Sequence, residues 1–260
     1  MDHHTSWISF FPGYQGLLHY VQTRFGWTEQ MSKTTGITTV HHIYAAGLVV
    51  IILVVTSLLA RLRLRDLEKA IIPPEKLNVV AFYEVFLETL FGLMESVIGP
   101  SYKRYVPVIG TLALFIFCNN LLSLIPGMRG ATDHVSTTAA CAIIVWIYFN
   151  YHGLRAHGVH HILHLANPIG EWWGWILSPM MFLIEFVSLC VRAVSLAIRL
   201  AANMIADHAL LFAFAGIFPL IVPLPFYALG LLVCLVQTAV FTILSCVYIA
   251  LHTAEAEHAH

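Results

Sequence analysis

Three observations predict an all-α integral membrane protein. Apolar side chains make up 59% of the 260 residues, charged ones only 10%, and the apolar residues gather into stretches of membrane-spanning length. An ordinary soluble surface carries about 25% charge, so this composition cannot supply one. Mean hydropathy is +0.80. The expected architecture has about five transmembrane helices plus one interfacial amphipathic helix, the last two spans being long and strongly tilted. Thirteen basic residues against fourteen acidic ones give a net charge of -1 with His neutral, which lacks the basic surplus of a nucleic-acid binder. Cys118, Cys141, Cys190, Cys234 and Cys246 stand singly in apolar segments, so they read as small buried hydrophobes rather than disulfide partners or metal ligands.

The elements follow in order. The first 30 residues lack the basic start, continuous apolar core and cleavage site of a signal peptide, and read as an aromatic, partly amphipathic surface segment. Residues 1–40 are accordingly assigned to an extracytoplasmic N-terminal segment, 41–251 to a helical membrane domain and 252–260 to a cytoplasmic tail. The stretch 42–60 is the first span, closed by Arg61, Arg63 and Arg65, and Pro73-Pro74 stops any continuation. Along 77–98, Glu84, Glu88 and Glu95 recur on one helical face, which predicts a helix lying at the interface. A helical hairpin is expected from 105–125 and 137–151, the second helix extended by a turn at each end. After it, 152–171 is a polar interruption whose His152, His157, His160, His161 and His164 read as loop or surface side chains, since Gly153 and Gly158 break the segment; no metal site is expected.

The stretch 172–218 is too long to stand upright in a bilayer, and 180–216 has no turn signature before Gly216, so one tilted or gently bent helix is expected. The last span is 224–251. Lys and Arg collect on one side, at Arg61, Arg63, Arg65, Lys69, Lys76, Lys103, Arg104 and Arg155, against Arg24, Lys33 and Arg129 on the other. That asymmetry places the N-terminus outside and the C-terminus inside.

The polar residues of 185–208 are the chemistry-bearing ones. At 100° per residue, Glu185, Ser188, Arg192, Ser195 and Asn203 all fall within about 40° of Arg199, a single polar stripe on an apolar helix. Arg192 has snorkelling as a structural alternative, whereas Arg199 has no acid within a helical turn, so its charge needs a partner from elsewhere or water. Guanidinium suits a fixed charge because it does not release its proton in a protein. His208 lies about 180° from Arg199, with Asp207 between them at about 80°, the geometry of a proton entry path separated from a charge barrier, with a structural Asp-His pair as the alternative. Gln237 stands in the last span near Thr238 and Thr242, where hydrogen bonding to a neighbouring helix is as expected as a direct role. No phosphate-binding loop, dinucleotide fingerprint, HExxH or Ser-His-Asp order appears, so the chain has no visible hydrolytic chemistry and calls for no cofactor.

These residues carry a resemblance. LIEFVSLCVRAVSLAIRLAANMIADH at 183–208, with LVCLVQTAVFTILSCVYIAL at 232–251 and LFIFCNNLLSLIPG at 114–127, resembles the a-subunit family of F-type ATP synthases. The resemblance implies a stator of the F1F0 complex in the bacterial inner membrane, lying against the ring of c subunits and bound by b-type stalk subunits. It also implies two offset half-channels for protons, separated by Arg199. Asn203 and Gln237 would line that region, Glu185, Ser188, Arg192 and Ser195 the same helix's polar side, and His208 would take a position held by an acid in some members and by His in others. Two departures stand out: the last-span position that often carries His or an acid is Gly230, leaving Asp207 to supply the acid, and 134–138 reads HVSTT where Asn-x-Asn-Thr-Thr is common. The alternatives are a secondary transporter with an anion-binding buried arginine, which should show paired repeats with interrupted helices, and a structural membrane subunit, which should tolerate loss of Arg199.

Overall fold

Every apolar stretch marked out by the sequence is helical in the computed structural model, which describes residues 13–16, 19–20, 41–63, 78–125, 128–157, 174–215 and 223–254. Six long helices follow one another: α1 His41–Arg63, α2 Val79–Ile98, α3 Val106–Ser123, α4 Val135–His157, α5 Gly174–Ala215 and α6 Pro223–Ala254. A 3-10 turn at Pro100–Arg104 links α2 to α3, and another at Ala131–Asp133 lies between α3 and α4. Proline sits where it costs least: Pro107 falls in the first turn of α3 and Pro223 opens α6, where a missing N–H breaks no helical bond. Gly99 terminates α2 with φ 78°, a backbone conformation that side chains disfavour, and its N–H closes the helix on the Glu95 carbonyl.

α6 is the central element, contacting α2, α3, α4 and α5, while α5 lies along α4. The core between them is apolar: Met94 of α2, Ile116 of α3, Phe149 of α4, Leu200 of α5 and Phe241 of α6 are all buried. α1 is peripheral, with Ile51, Val54, Leu58 and Leu62 exposed, and is tied to α2 by a 2.9 Å hydrogen bond between the Thr56 and Tyr83 hydroxyls. Glu84, Glu88 and Glu95 all lie on the exposed side of α2.

Among the described residues, three helices are long and apolar enough to cross a membrane: His41–Leu62, Val106–Ser123 and Leu224–Thr253. That is fewer than the five expected from the sequence; α4 and α5 are not among them. α4 is diluted by Asn150, His152 and Arg155, and α5 carries its polar stripe. α4 extends past 151 by slightly more than the expected turn, into the start of the stretch read as polar. The helix runs through His152 and Gly153 to His157, because the His152 ring is buried edge-on against Tyr148 and Tyr105, with centroids 4.5 and 5.0 Å away. His160, His161 and His164, the N-terminal segment for the most part, and the tail beyond Ala254 lie outside the described residues.

Candidate functional site

α5 is divided lengthwise. Leu189, Leu196, Leu200 and Met204 are buried on one side, and Val191, Val194, Ile198 and Ile205 are exposed on the other. A 3.6-residue period puts the polar stripe along the seam between these two faces. Ser188, Arg192, Asn203 and Asp207 are half-buried there, while Ser195 and Arg199 are exposed; the side chain of Glu185 lies outside the described residues.

The members of the stripe have different fates. Arg192 stacks over the Tyr248 ring of α6 at 5.7 Å, a cation–π contact that holds its guanidinium inside the chain. Ser195 only returns a hydrogen bond to the Arg192 carbonyl, 2.9 Å away. Arg199 is in no salt bridge among the described residues. Asn203 donates to the Gln237 side-chain oxygen at 2.6 Å, so these two expected residues meet across α5 and α6. Gln237 is buried and its amide nitrogen has no partner among the described residues, whereas neighbouring Thr238 and Thr242 satisfy themselves on carbonyls of their own helix.

His208 faces away from that seam, as its half-turn offset predicts. Its Nδ1 lies 3.1 Å from a carboxylate oxygen of Asp133, and its Nε2 3.1 Å from the carbonyl of Ser123. The acid that partners His208 is therefore Asp133, on the turn before α4, rather than the adjacent Asp207 put forward from the sequence. Asp207 keeps a buried carboxylate oxygen with no hydrogen bond among the described residues. Beside Gly230 the space is taken by Leu124: an added Cβ would come within 2.6 Å of the end of that side chain, which would have to shift.

The turn carrying Asp133 was not singled out by sequence, and the reason it is positioned so firmly lies in α3. Asn119 accepts the Ala131 N–H at 3.1 Å, and Asn120 accepts the Thr132 hydroxyl at 2.8 Å. Both amides are fully buried, and Gly130 approaches so closely that a Cβ would collide with the Asn119 carbonyl and sit 3.1 Å from Ser123 Cβ. Two consecutive amides in an apolar span must find buried partners, which was the available signal. The turn also touches α1, α4 and α5. Burial pushes the Asp133 carboxyl up, but the hydrogen bond from His208 and the charges of His208, Arg129 and His41 outweigh it and hold the carboxyl below the usual range.

Among the described residues no cluster of His, Cys, Asp and Glu is arranged to hold a metal ion. What the arrangement offers is a fixed cation at the outer edge of α5, an amide pair beside it, and an acid–imidazole couple farther along the same helix.

Comparison with known proteins gives the family. A family model described as ATP synthase A chain matches residues 43–250. The ATP synthase subunit a of Sorangium cellulosum is 36% identical over 258 residues, covering 95% of this chain and 99% of that protein. Those of Bdellovibrio bacteriovorus and Geobacter sulfurreducens are 38% identical over 210 residues and 37% over 202, covering 80% and 78% of this chain and 90% and 82% of theirs. A match of that extent, over the helices that carry Arg199, Asn203, His208 and Gln237, leaves one conclusion: the chain belongs to the ATP synthase A chain family.

Proposed function

We propose that this chain translocates protons as the stator subunit of an F-type ATP synthase membrane sector, with two offset half-channels kept apart by Arg199. Family membership supports the activity. The observation that carries the mechanism is the position of Arg199, exposed at the edge of an apolar helix face that none of the described residues covers. A guanidinium at membrane depth costs several kcal/mol unless it meets an acid or water. A carboxylate on a ring of c subunits docked against that face meets the need.

The physical cycle then follows. A ring carboxylate facing Arg199 is drawn into its ionised form, because the guanidinium stabilises the negative charge and repels an approaching proton. The carboxylate takes up a proton from the half-channel on one side and gives it to the other after a rotation. Each 100 mV supplies about 2.3 kcal/mol per charge moved. His208 and Asp207 lie toward the outer half-channel, Asn203 and Gln237 line its approach to Arg199, and Glu185, Ser188, Arg192 and Ser195 belong to the inner one. Phosphoanhydride synthesis occurs in another part of the F1F0 complex.

Multiple apolar helices and bacterial relatives make this a multi-pass bacterial membrane protein. In the finer topology we propose for the inner membrane, α1, α3, α4, α5 and α6 cross and α2 lies near the cytoplasmic interface. α4, with 23 residues, is about 35 Å long, enough for one crossing, and α5, with 42, is about 63 Å and must tilt. Basic residues flanking α1 and α2 support a periplasmic N-terminus and a cytoplasmic C-terminus, with 1–40 and 252–260 flanking a membrane domain at 41–251. The exposed apolar face of α1 suits lipid or b-type stalk helices.

The deciding experiment is gradient-driven ATP synthesis in vesicles reconstituted with an Arg199→Ala complex, alongside passive proton leak and co-purification of the ring. Loss of coupled synthesis in an assembled complex is the expected result. Normal coupling would leave the chain a structural subunit.

A further inference from the structure

The imidazole of His208 is surrounded in a way that constrains its protons. Both ring nitrogens face acceptors: a carboxylate oxygen at Nδ1 and a main-chain carbonyl at Nε2. A neutral imidazole carries only one N–H. With an ionised Asp133 beside it, a neutral ring would turn a lone pair toward either the carboxylate or the Ser123 carbonyl. The arrangement is satisfied in two states that hold the same number of protons: imidazolium with carboxylate, or neutral imidazole with carboxylic acid.

Three elements converge to build this. Ser123 is the last residue of α3, where carbonyls lack intrahelical donors and the helix end carries partial negative charge. Asp133 comes from the turn pinned by Asn119 and Asn120. His208 comes from α5, nine residues beyond Arg199, or about 13 Å along the axis.

We propose that Asp133 is a proton-relay residue of the outer half-channel, sharing one proton with His208. The inference rests on the proton-translocating reading above and adds a residue to it. A proton arriving from the outer side enters the couple. The couple releases one proton toward Arg199, with Asp207 the next ionisable group on α5, and the hydrogen bond from Nδ1 to Asp133 re-forms when the next proton arrives. One proton enters for each that leaves.

The charged and titratable groups around the couple come from several elements. On its own segment are Arg129, 4.0 Å from the carboxylate, and His134, stacked on His42 of α1 with centroids 4.2 Å apart. α1 adds His41, buried at the same junction, and α5 adds Asp207; the facing parts of α3 and α4 contribute uncharged Asn119, Asn120, Ser136, Thr137 and Thr138. The histidines at 41, 42 and 134 thus stand on the side of Asp133 formed by the first turn of α1 and the start of α4, an ionisable approach from the surface.

The test is proton flux through the assembled complex in vesicles as a function of pH, for Asp133→Asn, His208→Gln and the double variant, with Arg199→Ala as control. Asp133→Asn is expected to slow flux about tenfold or more and to alter the pH profile. The double variant should be no slower than the slower single one, because one shared step has been removed. Wild-type flux and pH profile in Asp133→Asn, with Arg199→Ala inactive, would overturn the relay while leaving the stator reading intact. If Arg199→Ala remains coupled, the stator reading itself fails. Should Asp133→Asn not assemble, Asp133→Glu keeps the carboxyl and decides the matter: a shifted pH profile supports the relay, and an unchanged one overturns it.

Discussion

Two regions of α5 handle their polar groups in opposite ways. Toward its C-terminal end Asn203 on the polar stripe is held by Gln237, and His208 on the opposite face by Asp133 and Ser123. Midway, Arg199 is exposed and in no salt bridge among the described residues. The difference fits the roles proposed for the two regions. A group that passes protons along a fixed route gains from rigid partners, whereas a charge that must meet a succession of moving carboxylates has to be left without a permanent one. Arg192 sharpens the contrast: it is the same residue type on the same stripe, but Tyr248 occupies its guanidinium.

The largest expected effect breaks that contrast at its centre. Arg199→Ala or Arg199→Gln should reduce coupled synthesis to background in vesicles. Arg199→Lys should be severely impaired rather than rescued, because an ammonium concentrates its charge and loses its proton more readily when desolvated. Near wild-type synthesis by the Lys variant would show that charge alone, and not the guanidinium, is required.

Next comes His208→Ala, expected to slow proton flux and shift its pH dependence while the complex still assembles. Asp207→Asn should overlap with it non-additively if the two share a path. Strictly additive effects in the double variant would separate them into independent routes.

Gly130→Ala tests the scaffold beneath the outer group. With the Asn119 carbonyl and Ser123 in the way, the added methyl should destabilise the protein by about 1–3 kcal/mol and displace Asp133. Thermal unfolding of the purified complex reads the first effect, and the pH profile of flux the second; an unchanged midpoint would mean that the turn yields freely.

Acid stability gives a smaller effect. Because folding holds the Asp133 carboxyl below its ordinary pKa, its contribution is present above the unfolded value of about 3.9 and lost as pH falls through the lower folded value. The stability gap between wild type and Asp133→Asn should therefore narrow below about pH 4. A gap constant through that window would assign the effect of the substitution to packing.

The smallest change is expected from Arg192→Ala, which loses a cation–π contact with Tyr248 but no unpartnered charge. Its synthesis rate should fall far less than that of Arg199→Ala. Equal losses would erase the distinction between the two arginines.

Much of this was legible before any coordinates. Apolar runs gave the helices to within a few residues, because a bilayer solvent rewards continuous hydrophobicity and helical hydrogen bonding alike. How far α4 runs past 151 is less legible, since the His152 ring packs on Tyr105 and Tyr148, one of which belongs to another segment. The Asn203–Gln237 meeting was anticipated only as shared surroundings, without the 2.6 Å bond.

By itself the sequence determined the membrane class, the long α5, the polar stripe and the half-turn between Arg199 and His208. Those are consequences of composition and of helical period, which act within a few residues of chain. Only the tertiary structure decided that Asp133 and not Asp207 meets His208, that Leu124 lies against Gly230, and that Arg192 sits over Tyr248 while Arg199 is exposed and in no salt bridge among the described residues. Each of these depends on residues far apart in the chain, 75 positions in the case of Asp133 and His208. Such pairings follow from how α3, the 131–133 turn, α5 and α6 pack together, and periodicity along a single helix carries no information about them.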